Sequence, residues 1–146
     1  LALGGCSVSE DDLEPNDDPT RATPIAVGQQ REAIVILGNH DFYAATLDGA
    51  AALRFRLRST GREREARVAL VGADGRVPEL PDDPPCAAAD APLPRSICRA
   101  EGFDLDAAFP AGAKAVVVVY QPMLCVDCFT PESSEYTLAL EALPAP

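Results

Sequence analysis

Leu53-Arg54-Phe55-Arg56-Leu57-Arg58 decides the fold class, because apolar and cationic residues alternate through it without interruption. A period of two is the period of a β-strand, whose successive side chains leave opposite faces. Leu53, Phe55 and Leu57 therefore point to a core and the three arginines to water. Toward the N-terminus, Ile34-Val35-Ile36-Leu37 forms a strand ended by Gly38-Asn39, and Phe42 to Leu47 forms another after a turn. Toward the C-terminus, Val68-Ala69-Leu70-Val71 precedes Gly72-Ala73-Asp74-Gly75. Its Asp-Gly pair signals a hairpin, with a return strand beginning at Arg76-Val77. Ala115-Val116-Val117-Val118-Val119-Tyr120 is β-branched throughout its middle, and Tyr136-Thr137-Leu138-Ala139-Leu140 closes the series.

No segment carries a helical stripe. Ala87-Ala88-Ala89-Asp90-Ala91 is flanked by Pro84, Pro85 and Pro92, which leaves room for at most one helical turn. The pattern predicts an all-β fold, an antiparallel β-sandwich of about seven to nine strands. Two stretches interrupt it. Residues 78–102 are rich in Pro and Ala and read as a structureless insertion, and residues 122–134 form a second insertion.

The chain has 146 residues, 47% of them hydrophobic and 24% charged, enough for one domain with a real core. Twelve Lys plus Arg against 23 Asp plus Glu give a net charge of -11. That balance argues against a nucleic-acid partner, since affinity for phosphate backbones comes mainly from Lys and Arg. It also argues against docking on anionic lipid through a basic patch, and it favours divalent cations.

Five cysteines are an odd number. The first stands in Leu1-Ala2-Leu3-Gly4-Gly5-Cys6, an apolar run with small residues before a cysteine, as at the end of a secretory signal. Leu3-Gly4-Gly5-Cys6 resembles a bacterial lipobox. The resemblance implies that residues 1–5 end a lipoprotein signal peptide, that Cys6 is lipidated, and that residues 6–13 are an acidic tether. The expected address is the bacterial envelope, at the outer membrane or cell surface, with the membrane engaged through Cys6. Cys86, Cys98, Cys125 and Cys128 remain. In an exported chain they read as disulfides, with three connectivities open, the simplest being Cys86–Cys98 and Cys125–Cys128. A zinc site and a redox pair are the rival readings. Only Cys125 and Cys128 have the close spacing zinc asks for, and Pro122 with a Val-rich strand precedes them instead of a helix start.

Three groups of residues carry a further resemblance: Leu13-Glu14-Pro15-Asn16-Asp17, then Ala22-Thr23-Pro24-Ile25, then Gly38-Asn39-His40-Asp41-Phe42-Tyr43. Together they are similar to the start of bacterial pre-peptidase C-terminal domains. Val71-Gly72-Ala73-Asp74-Gly75, Phe109-Pro110-Ala111-Gly112 and Glu135-Tyr136-Thr137-Leu138 resemble that family's later landmarks, in order. The resemblance implies a jelly-roll-like sandwich over residues 14–143 with a non-catalytic binding or stabilising role. The cysteine-bearing insertions depart from the family's pattern, as does Asn39 where its turn carries an Asp.

Asp12, Glu14 and Asn16 alternate, so an extended chain presents them on one face, with Asp17 beside them. Hard oxygen ligands of this kind suit Ca2+. The resemblance adds Asp41 to the set, while Gly38 stands where the family has a further Asp. An EF-hand is excluded, because the sixth position from Asp12 is Asp17 and the twelfth is Thr23.

His40 is the one histidine, which excludes any site built on two, and there is no G-x-S-x-G elbow or Gly-rich phosphate loop. The chain therefore reads as a non-enzyme, and His40 as an exposed bystander. Phe42, Tyr43, Phe55 and Tyr136 read as core, leaving Tyr120, Phe129 and Phe103 as the surface aromatics a sugar site would need. The expected partner is a protein or polysaccharide. The other functional readings are an assembly subunit of an envelope complex and an accessory domain of an exported hydrolase.

Overall fold

The computed structural model describes residues 18–36, 39–59, 66–80, 86–121 and 133–143. Among these, nine strands are present: β1 (Thr23–Pro24), β2 (Gln30–Ile36), β3 (Asp41–Thr46), β4 (Ala51–Ser59), β5 (Arg67–Leu70), β6 (Arg95–Arg99), β7 (Gly102–Phe109), β8 (Lys114–Tyr120) and β9 (Ser133–Ala142). They form a four-stranded sheet in the order β1-β3-β8-β5 and a five-stranded sheet in the order β2-β9-β4-β7-β6. The expected all-β sandwich is the fold. All pairings are antiparallel except the two-residue β1–β3 pairing, which is parallel.

Alternation places the core between the sheets. Leu53, Phe55 and Leu57 of β4 are fully buried, and they meet Leu105 of β7, Leu138 of β9 and Val117 and Val119 of β8 in one cluster. Each such side chain contributes roughly 1.5–3 kcal/mol by leaving water. The four-stranded sheet is also covered on its other face. Phe42, Val71 and Val118 pack there with Ala22, Ala69, Leu80 and Val116. Burial on both faces explains why the β8 sequence is a continuous Val run where β4 alternates.

The sequence pattern misses three strands, the two-residue β1 and the longer β6 and β7, and adds one. β6 lies inside the stretch 78–102 that read as structureless, and β7 comes directly after it. The turn at Gly72–Gly75 does form, with Gly75 N–H donating to the Gly72 carbonyl at 2.9 Å and Gly75 at a φ of 79°. It leads into no return strand: residues 76–80 join no sheet. Pro78 lacks an N–H to donate, and Leu80 instead covers the outer cluster. Tyr120 and Phe103, read as surface aromatics, are both buried, at 3% and 4% exposure. Phe129 lies outside the described residues.

Gly102 fixes the closest approach of two strands. A Cβ there would stand 1.8 Å from the Leu57 carbonyl oxygen, so only glycine lets β7 start beside Arg58 of β4.

Candidate functional site

One end of the sandwich is polar inside. β3 begins there with Asp41, β8 ends there before Gln121, and β9 begins there with Ser133. Asp41 pairs in register with Val119, a core residue, so its carboxylate faces the interior. Tyr136, on the opposite sheet, donates a 2.7 Å hydrogen bond to Asp41 Oδ2. The hydroxyls of Tyr43 and Tyr136 lie 2.5 Å apart. Because the single Tyr136 proton goes to Asp41, Tyr43 donates to Tyr136, and the three residues form one directed chain. Their rings meet edge to face at 6.3 Å. Burial pushes the Tyr136 phenol well above its ordinary value, and the neighbouring Tyr43 and Asp41 push it the same way. Ser134 donates to Gln121 Oε1 at 2.9 Å beside this chain, with both residues buried.

His40 stands next to Asp41 and is half-buried, not exposed as a turn histidine would suggest. Its ring meets Tyr120 edge-on at 6.3 Å. Burial holds the imidazole below its ordinary 6.5, so it is neutral at pH 7.

Of the proposed calcium ligands, Asp41 is described, and Asp12, Glu14, Asn16 and Asp17 lie outside the described residues, as do Cys6, Cys125 and Cys128. Among the described residues no three His, Cys, Asp or Glu side chains come together as a metal set. Cys86 and Cys98 form a disulfide, with Cα atoms 5.4 Å apart. It ties β6 to the preceding loop, where Ala87 N–H also donates to the Ser96 carbonyl at 2.7 Å.

The outer face of the five-stranded sheet carries a charge network that the sequence did not announce. Asp104 and Asp106 of β7 are 2% and 0% exposed although they point away from the core. Arg54 of β4 grips Asp106 through two bonds of 2.8 and 3.0 Å, and Arg95 of β6 adds a third at 2.9 Å. Arg58 and Arg99 hold Asp104 from the same two strands, at 2.9 and 2.7 Å. Burial pushes the Asp106 carboxyl upward, but Arg54 and Arg95 outweigh it and hold the group below its ordinary 3.8. The visible signal was Asp104-Leu105-Asp106 in step with the Arg54-Phe55-Arg56-Leu57-Arg58 alternation. Read as two neighbouring strands, the two stretches predict these pairs.

At the opposite end of the sandwich a cleft of about 630 Å³ opens between the sheets, lined by Ile25, Val27, Ala44, Leu47, Ala51 and Ala142 among others.

No family profile matches the chain, and no curated protein matches it. Among solved structures, the chain is similar to the pre-peptidase C-terminal domain of collagenase from Bacillus anthracis. The identity is 13% and the TM-score 0.47, over 82% of this chain and 94% of that one.

Proposed function

We propose that this chain is a non-catalytic module of the pre-peptidase C-terminal type, lipid-anchored at Cys6 in the bacterial envelope, that binds or stabilises a protein or polysaccharide partner. The buried bond from Tyr136 to Asp41 carries this reading. Asp41 and Tyr43 belong to one motif of the family resemblance and Tyr136 to another, and the fold joins all three in a single hydrogen-bond chain. Two further landmarks of the resemblance fall at turns, Gly72–Gly75 after β5 and Pro110–Gly112 before β8.

A calcium ion belongs to the same proposal. Asp41 supplies a carboxylate of the right chemistry, fixed in orientation by Tyr136, much as outer-shell partners fix metal ligands elsewhere. Asp12, Glu14, Asn16 and Asp17 would complete the oxygen set. The ion would neutralise these clustered carboxylates and tie the N-terminal segment to the sandwich.

Two measurements test the reading. A thermal melt of the full chain should rise on adding Ca2+, and the rise should vanish in Glu14→Ala; an unmoved melt removes calcium from the proposal. An intact mass of the envelope-extracted protein should show an acyl adduct on a chain beginning at Cys6. A mass with residues 1–5 retained and no adduct would overturn the anchor.

A further inference from the structure

We propose that the outer face of β4, β7 and β6 is a docking surface for an extended acidic peptide segment of a partner protein. Five of the chain's twelve basic residues converge on this face: Arg54, Arg56, Arg58, Arg95 and Arg99. They meet three carboxylates, Asp104, Asp106 and Glu141. Around β4, β7 and β6 this leaves two surplus positive charges in a molecule whose total is -11.

Depth turns that small surplus into a cationic surface. Asp104 and Asp106 lie beneath the guanidinium groups at no more than 2% exposure, while the side chains of Arg56 and Arg99 are 45% and 40% exposed. A partner arriving from solvent meets guanidinium, with Glu141 the one exposed carboxylate of the network. The buried carboxylates also hold the arginines in place, so a ligand has less side-chain freedom to freeze when it binds. Arg95 is further pinned by donating to the Ala91 carbonyl at 2.8 Å.

Spacing and charge choose the ligand. Arg54, Arg56 and Arg58 recur along one strand every about 6.6–6.8 Å, the repeat at which an extended peptide presents alternate side chains. A segment with Asp or Glu at every second position, laid along β4, would bring one carboxylate past each guanidinium, with the half-exposed Arg56, which neither Asp104 nor Asp106 holds, as the principal contact. Glu32 of β2 and Glu135 of β9 stand on the same face beyond β4, so the segment is confined to the β4–β7–β6 side. An anionic membrane or bulky polyanion would approach the whole -11 molecule and be repelled by it, whereas a slim strand meets the arginine face alone. The surface is separate from Asp41, which lies on the other sheet, and uses neither Cys6 nor a cation.

The test is fluorescence anisotropy of a labelled alternating Asp-Ser peptide titrated with the full chain at about 0.15 M salt, where charges more than roughly 8 Å away are screened. Saturable binding should weaken by about tenfold or more in Arg56→Glu/Arg99→Glu, which removes two charge-assisted contacts. Arg76→Glu, on an exposed turn elsewhere, should bind as the parent does. Arg56→Ala, whose ionic contact is the exposed Glu141 at 3.5 Å, is the second variant should the double change impair folding, and it too should weaken binding. Equal binding by the arginine variants would overturn the proposal. So would equal loss in Arg76→Glu, binding that requires Ca2+, or equally tight binding of polygalacturonate or phosphatidylglycerol vesicles through the same arginines.

Discussion

Tyr136 crosses the core to Asp41: a phenol on one sheet donates a 2.7 Å hydrogen bond to a carboxylate on the other. Most of the contact between the sheets is apolar and could slide. This bond fixes one point of registry, at the end of the sandwich where β3 begins.

Tyr136→Phe should therefore cost about 1–3 kcal/mol, since it strips a buried acceptor of its donor and leaves Tyr43 without its phenol partner. Urea unfolding at pH 7 measures it. The parent should also lose stability in alkali. The folded phenol holds its proton beyond its ordinary 10.0, so above that pH the unfolded chain binds fewer protons than the native one and stability falls as pH rises. The Phe variant should show a shallower alkaline decline.

Asp106→Ala should lower stability at neutral pH by about 3 kcal/mol, because Arg54 and Arg95 lose the carboxylate that both hold. The folded carboxyl titrates below 3.8, so its contribution is complete above that value and is lost as pH falls through the lower folded one. Denaturation midpoints of parent and variant should therefore converge in strong acid. A constant gap down to the lowest accessible pH would refute the ion-pair account.

Gly102→Ala should destabilise by about 1–3 kcal/mol or more, since the added methyl collides with the Leu57 backbone, which cannot swing aside as a side chain would. Gly49→Ala, with open space around its Cβ position, is the matched control and should change little. Thermal melts of the two variants decide it.

Cys98→Ser paired with Cys86→Ser should lower stability by about 2–3 kcal/mol, the loop-closure contribution for a bridge spanning 12 positions. The loss should be felt at β6 first, as faster hydrogen exchange at Ser96 to Arg99, because the bridge ties that strand to the loop before it.

Strands with an apolar inner face were legible wherever the opposite side chains were ordinary. β3, β4, β8 and β9 all come from alternation or from a β-branched run. β7 alternates as β4 does, Phe103-Asp104-Leu105-Asp106-Ala107, but it starts where the stretch 78–102 read as an insertion ends, and β6 lies inside that stretch. What was not legible is the burial of Asp104 and Asp106. They are buried only because arginines from two other strands lie over them, a relation absent from any local window. The turn at Asp74-Gly75 was legible, but the path of residues 76–80 depended on Pro78 and on an apolar patch that Leu80 could cover. At the candidate site, Asp41 was picked out by resemblance and Tyr136 as core; their bond joins positions 95 apart and could be seen only in the fold.

The five-stranded sheet has its latest strand in its interior. β9 is flanked by β2 and β4, so these two cannot share a sheet until residues 133–142 arrive between them. During synthesis the growing chain thus carries two bare strand edges facing a gap one strand wide, each a template for pairing with a neighbouring molecule. Assembly is of high contact order and slow, with the decisive step left to β9. A ribosome stalled before Ser133 would release a sticky fragment instead of a smaller domain.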